Sequence, residues 1–475
     1  MQKSDFWIRL AMRPISLRWL FVVLLIGSSV IVWADTRGSI VDPPAIDVFP
    51  DHDKIGSSDY PVERAITDGR RLFKAKFNLL DGAGRPEATG DSKPTPRKTP
   101  VAAFQRIAGP DANSCAGCHN EPQIGGSGEF VTNTFVGAHL SDPPTFRASA
   151  DQTNERNTTT VFGSGVVELV AREMTEELHR QRNAAVAESR SSGKPVTAEL
   201  SGGTTNFGTI TAFPEGYVNY EKLDGIDFDL IIRPFGVKGV AASIREFTTF
   251  ALNQHHGVQA VERFGWERTG LTDFDGDGHE TEFTIGQVTA LVLFQATLPI
   301  PNKIDHFRDM PEGFDAFLSI GCAACHTPKT PIQSNLFTEP GRFNRPGAMS
   351  TKDTATIVQV RLDVPAKNGQ LFVQMYSDLK RHRMCDAEVR HFCNEGLRQD
   401  NVNEELFMTA RLWNLATSAP YCHRGDCSTI SEAILAHGGE ARVAREKFIA
   451  LATSKKKSLV KFLLALGMEQ EIEVK

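Results

Sequence analysis

The sequence predicts a mainly α-helical protein of two related domains, with long connecting loops and one small β insertion. Three observations carry this expectation. Apolar residues recur at helical spacing over 62–77, 161–190, 241–264, 284–297 and 428–466. One pentapeptide, Cys-x-x-Cys-His, occurs twice, starting at Cys115 and at Cys322, 207 positions apart. Between 196 and 238 the pattern becomes alternating (GTITAF, YVNYEKL, FDLIIRPF) and is bracketed by Gly and Pro. Size agrees with this plan. A chain of 475 residues that is 40% hydrophobic and 23% charged holds two or three domains with full cores. That composition excludes wholesale disorder, a collagen-like repeat and a multi-span membrane protein. The net charge of −6 excludes a dominant nucleic-acid footprint.

The elements follow in chain order. Residues 1–34 read as a secretory signal peptide or an N-terminal anchor. Lys3, Arg9, Arg13 and Arg18 outweigh Asp5, the apolar stretch 19–34 follows, and Val32 and Ala34 stand before Asp35 as a cleavage site. Sixteen apolar and small residues are short for a span of about 20, which favours cleavage. Either reading places the rest of the chain outside the cytoplasm, in the periplasm, with a membrane contact only if the segment stays attached. Its loss removes four basic residues and one acidic one and takes the net charge from −6 to about −9. Residues 35–100 form an extended lead-in, a first helix and a Gly/Pro-rich loop. The first of the two domains covers 101–265 and carries the β insertion. An acidic loop and a helix, 266–300, link it to the second domain, 301–475.

The pentapeptides are CAGCH (Cys115, Cys118, His119) and CAACH (Cys322, Cys325, His326). Two thiols three residues apart can add to the two vinyl groups on one haem edge, and the next residue, histidine, then reaches the iron. A zinc site would need one shared Cys/His cluster. The expectation is therefore two covalently bound haem c groups in cytochrome c-like domains, with His119 and His326 as proximal ligands. The other four cysteines, Cys385, Cys393, Cys422 and Cys427, allow three pairings. Local pairs are the simplest in an oxidising compartment.

The opposite face of each iron decides between electron transfer and substrate chemistry. For the second haem the sequence offers Met384 first, and also His382, His423 and Tyr421. For the first it offers His139, His255 and His256. Glu168, in the apolar run FGSGVVELV, is a candidate acid–base group, as is His255. Trp413 and Trp266 are candidate relays. The loop DFDGDGHETEFT starts as an EF-hand loop does, with Asp273, Asp275 and Asp277 at alternating positions and Gly278 at the turn. It lacks the final Glu, for which Glu280 or Glu282 would substitute for Thr284. Calcium is the expected ion; a solvated acidic turn is the alternative.

The phrases SCAGCHNEPQIGGSG, FGSGVVELVARE, FGVKGVAASIREF, HHGVQAVERFG, DFDGDGHETEFTIGQVTALVLFQATLP, IGCAACHTP, YSDLKRH and APYCHRGDCSTISEAILAHGGEA occur in this order. In this the chain resembles the bacterial di-haem oxidoreductases, relatives of the di-haem cytochrome c peroxidases. The resemblance implies one electron-donating haem and one haem at which a small oxidant such as peroxide reacts, with a small cytochrome c-like protein as electron donor. It implies that the segment of His382 and Met384 lies near a haem. The chain departs from the pattern with Arg383 and Arg424 where acidic residues are usual, and with cysteines beside both. Two other functions stay open: a non-catalytic electron carrier with both irons six-coordinate, and a redox or structural partner in an envelope complex.

Overall fold

Helix α5 (Ile285–Ala296) is the pivot of the molecule, because every residue from Gly286 to Ala296 is buried. It starts where Thr284 caps it: the Thr284 hydroxyl accepts from the Gln287 N–H, and the Gln287 side chain accepts from the Thr284 N–H. The computed structural model describes residues 41–84, 110–135, 153–301 and 310–467. The leader 1–34, the loop around 85–109 and His139 lie outside the described residues. Contacts gather Ala45–Lys475 into one unit, apart from Met1–Pro44.

Three helices pack on α5: α1 (Val62–Lys74), α3 (Ser164–Ser192) and α4 (Ile244–Ala251). In α1, Ala65, Gly69, Leu72 and Phe73 recur at three- and four-residue spacing and form the buried side. Contact is closest at Gly69, where a Cβ would stand 2.0 Å from the Ala290 carbonyl oxygen. The main core runs from Ile46 to Trp413, so residues before the first pentapeptide and after the second share it. A second apolar core joins α6 (Pro311–Ile320) to α8 (Arg442–Ala450) and α9 (Thr453–Leu464) through Phe317, Phe448, Leu459 and Phe462, with Tyr376 between them. Each such aromatic or leucine contributes about 2 kcal/mol by leaving water.

The expected mainly α class is not what forms. Among the described residues, helix accounts for 36% and strand for 16%, and the strands make five small sheets. The largest is β3-β4-β5 (Val196–Gly202, Thr205–Ala212, Val218–Leu223), antiparallel and lying against α3. The others are β1-β2 (Val131–Phe135, Thr153–Asn157), β7-β8 (Leu336–Glu339, Val358–Arg361), β11-β12 (Arg381–Arg383, Leu406–Met408) and β6-β10-β9 (Thr330–Ile332, Gln370–Val373, Ala366–Lys367). The physical reason is backbone satisfaction. Long loops laid over a core must pair their N–H and C=O groups, and runs such as VQVR and QLFV do so as short ladders. The expected helix over 241–264 is also interrupted: α4 gives way to a π-turn, Leu252–His256, and then to the single turn Val261–Phe264.

Candidate functional site

The first pentapeptide forms a single helical turn, α2 (Cys115–Cys118), closed by the His119 N–H on the Cys115 carbonyl at 2.9 Å. One turn brings both thiols to one side. The His119 Nδ1–H donates to the Gly126 carbonyl at 3.3 Å, which leaves Nε2 for another partner. Burial pushes His119 down to about 4, so its imidazole is neutral. Burial likewise pushes Cys115 up to about 12 and Cys118 to about 11, which disfavours thiolates.

The π-turn that breaks the 241–264 helix frames this pentapeptide. Its two histidines diverge. His256 Nδ1–H donates to the Ala112 carbonyl at 2.6 Å, and its Nε2 lies 3.5 Å from the Cys115 sulfur. His255 Nδ1 faces the Asp111 carboxylate at 3.1 Å. The backbone tightens the same joint, with Asp111 N–H on the His255 carbonyl at 2.7 Å. An orienting carboxylate on one ring nitrogen leaves the other for proton transfer.

The second pentapeptide follows α6 as a 3₁₀ turn, with the His326 N–H on the Cys322 carbonyl at 2.9 Å. His326 Nδ1–H donates to the Tyr376 carbonyl at 2.9 Å. Opposite it stands His437, which follows helix α7 (Ile430–Leu435). The two ring centres are 6.5 Å apart at 48°. His437 Nδ1–H donates to the Ala433 carbonyl at 2.7 Å, so this ring also spares its Nε2. Burial pushes His437 down to about 4 and keeps it neutral. Metal–imidazole bonds of about 2 Å put two ring centres about 6 Å apart. The observed separation of 6.5 Å is close to that value.

The sequence did not single out His437. Its signal was faint: a histidine just past a capped helix, before Gly438 and Gly439. The other candidates are engaged elsewhere. The half-buried Met384 side chain packs with Cys385, Phe392, Phe407 and Cys422, while its carbonyl accepts from the Gly438 N–H. His382 is held between Asp378, 2.8 Å from Nε2, and Glu440, 2.7 Å from Nδ1. Burial opposes its charge, but Asp378 and Cys325 push it up to about 11, so it is an imidazolium. His423 is buried against Phe392 and Phe407, with Nε2 3.3 Å from Glu395. Tyr421 donates to the Leu415 carbonyl at 2.6 Å.

Glu168 is buried, paired with Arg172, and accepts the Ile244 N–H at 2.8 Å. Burial raises its pKa, against the pull of Arg172. Trp413 is buried with its indole N–H on the Gln374 carbonyl at 2.8 Å, whereas Trp266 is exposed. The two arginines that depart from the pattern have acidic partners: Arg383 pairs with Glu405 and Arg424 with Glu155 of β2. Cys385 is joined to Cys393, and Cys422 to Cys427, with Cα separations of 5.5 and 5.7 Å. The two pentapeptides are not gathered into one ligand cluster among the described residues, although Cys325 lies with Asp378 and His382, their ligand atoms within 4.8 Å of one another. They are nevertheless linked. The Ser127 hydroxyl, beyond His119, reaches the Thr417 carbonyl at 3.2 Å and the Ser418 hydroxyl at 3.0 Å, and nearby Leu415 packs in the core that includes Cys322.

In the acidic loop, carboxylate oxygens of Asp273, Asp275 and Asp277 lie within 4.8 Å of one another. Asp273 accepts the Gly276 and Gly278 N–H groups, each at 2.8 Å. Thr284, at the position of the missing Glu, is used as the cap of α5.

Two haem-type pentapeptides, each with a neutral proximal imidazole, define a di-haem redox protein. The family model described as di-haem oxidoreductase, putative peroxidase, matches residues 255–466 and supports that family for the chain. No curated protein matches the chain. Among solved structures, the chain is similar to Kuenenia stuttgartiensis hydrazine synthase pressurised with xenon, at 11% identity and a TM-score of 0.34, over 90% of this chain and 96% of that one. It is also similar to a MauG-like protein associated with microbial copper homeostasis, at 13% identity and a TM-score of 0.26, over 64% and 88%.

Proposed function

We propose that the protein is a periplasmic di-haem c-type oxidoreductase that takes electrons from a small cytochrome c-like donor and reduces a small oxidant such as peroxide. The observation that carries this reading is the close approach of the His326 and His437 rings. Two such imidazoles would hold one iron as a closed site suited to electron transfer, which leaves the first pentapeptide for the oxidant. Bound covalently through Cys115, Cys118, Cys322 and Cys325, the haems supply one-electron chemistry and peroxide reduction.

The chain supplies position, protons and shielding. His119 is fixed by Gly126 and His326 by Tyr376, which sets both ring orientations. Asp111 orients His255 through Nδ1, and His255 Nε2 is the atom from which a proton reaches the leaving oxygen. Glu168, with its carboxylate shared between Arg172 and Ile244, serves to hold α3 against α4. The acidic balance, about −9 after loss of the leader, favours a basic donor. The same reading gives the acidic loop at Asp273, Asp275 and Asp277 a calcium ion. Two disulfides and a leader support export.

The test uses the exported holoprotein. His437→Ala is expected to convert one low-spin haem signal in the EPR spectrum to high-spin, whereas Met384→Ala leaves ligation unchanged. An unchanged spectrum in His437→Ala overturns the assignment. Peroxide-dependent oxidation of reduced cytochrome c, lost in His255→Ala with both haems still attached, supports the enzyme. Its absence in the parent protein would leave an electron carrier.

A further inference from the structure

We infer that Arg411 holds a haem propionate at the junction of the two pentapeptide sites and so helps to set the potential there. This rests on the di-haem reading above and adds to it a charged group that the ligand and proton assignments do not use.

Arg411 lies in the stretch between β12 and Trp413, and on either side of it the chain meets the second site. The Ala410 backbone raises His326 against the effect of burial. The Leu412 N–H donates to the Met375 carbonyl at 3.2 Å, next to Tyr376, whose own carbonyl holds His326. The Arg411 side chain leaves this stretch for the first site. Its Nη2 reaches the Thr160 carbonyl at 3.5 Å and its Nη1 the Pro234 carbonyl at 3.4 Å. Thr160 is framed in the same way. The Thr159 backbone raises His119 against burial, and the Val161 N–H donates to the Gly125 carbonyl at 3.0 Å, next to Gly126, which holds His119. The guanidinium therefore stands where the backbone around one proximal histidine meets the backbone around the other.

That position lacks a counter-charge. Among the described residues Arg411 makes no ion pair, and its Nε is buried without a hydrogen-bond partner. The two carbonyls it reaches stand at the long end of hydrogen-bond range. Other arginines held out of water are matched: Arg156 with Glu395, Arg233 with Asp229 and Arg245 with Glu339. Burial, with no neighbouring charge to oppose it, brings Arg411 from 12.5 down to about 10, still far above neutrality. A guanidinium thus stays charged, and a buried charge without a partner is costly. Its fork of donors fits a carboxylate with two N–H groups. The cysteines take the vinyl edge of each haem, and each haem still carries two propionates. These carboxylates are the anions that the two sites bring to this junction. A fixed positive charge beside them favours the reduced, less positive iron.

The experiment uses the exported holoprotein, with haem content confirmed by mass. In a spectroelectrochemical titration, Arg411→Gln should lower the potential of at least one haem by about tenfold in its reduction equilibrium, which is ~59 mV for one electron. Arg411→Lys, which keeps the charge and loses the fork, should retain most of the parent potential. Both variants should shift the propionate bending bands in resonance Raman spectra and leave the EPR spin state of each iron unchanged. If Arg411→Gln fails to fold, the Raman bands of Arg411→Lys against the parent still decide. Unchanged bands and potentials in a folded variant overturn the anchor and leave a merely structural cation. Bands that stay fixed in the variants while added sulfate moves the parent's potential would give Arg411 to a free anion and overturn the propionate. Haem-loaded protein that turns over no peroxide would overturn the enzyme proposed above, and the same potentials and bands would still test Arg411.

Discussion

Asn154, Arg156, Lys238 and His423 all reach the carboxylate of Glu395. Arg156 grips it with both guanidinium nitrogens, at 2.6 and 2.9 Å, and Asn154 donates at 2.7 Å. Lys238 stands 3.9 Å away, over the Phe407 ring, with its ammonium on three backbone carbonyls. Burial alone would raise Glu395, but His423, Arg156 and Lys238 bring it down from 4.5 to about 2. A depressed carboxylate stabilises fully above its ordinary range, and that contribution is lost as pH falls from 4.5 toward 2. Glu395→Gln should therefore cost about 3 kcal/mol at pH 7, because it leaves buried cations underpaired. The difference from the parent should shrink below pH 4.5. Urea unfolding at several pH values checks both statements, and a constant difference across that window would contradict them. Nothing around Glu395 in the sequence (CNEGLRQ) marks it. Its partners lie up to 241 positions away, and only folding brings them together. The pentapeptides were legible because their chemistry is local. His437 was not, because its meaning is a distance to His326, and Met384 had only closeness in sequence to a histidine.

At the scale of elements, hydrophobic spacing located the helices well where one face meets a core. The expected helix over 161–190 forms as Ser164–Ser192, and that over 284–297 as Ile285–Ala296. The fold class was misjudged because short ladders between loops leave little periodic signal: β6, β9 and β11 span three, two and three residues. Helix packing makes its own prediction. Gly69→Ala places a methyl 2.0 Å from the Ala290 carbonyl oxygen and 2.9 Å from the Phe294 Cβ. Backbone cannot yield as a flexible side chain does, so α1 must lift from α5. The expected loss is about 3 kcal/mol, read as a lower denaturation midpoint with helix content retained. A neutral result would mean that α1 is not seated on α5 as described.

At the scale of the whole molecule, the proposed export would set the chemistry open to the eight cysteines. N-terminal sequencing of the exported protein is expected to begin at Asp35; an intact Met1 would mean a retained anchor. Reduction of both disulfides should then lower stability by about 2 kcal/mol for each loop closed, with haem attachment unaffected.

The sharing of one core by the two ends of the chain has a consequence for dissection. The stretch 255–466, which matches the family model, begins after α1, α3 and α4, yet α5 within it is buried against those helices. A gene fragment encoding 255–466 would produce a chain with its central helix stripped bare. It should aggregate on expression, and mixing it with a separate 45–254 fragment should recover soluble protein. What is inherited as a recognisable unit is thus not what folds as one.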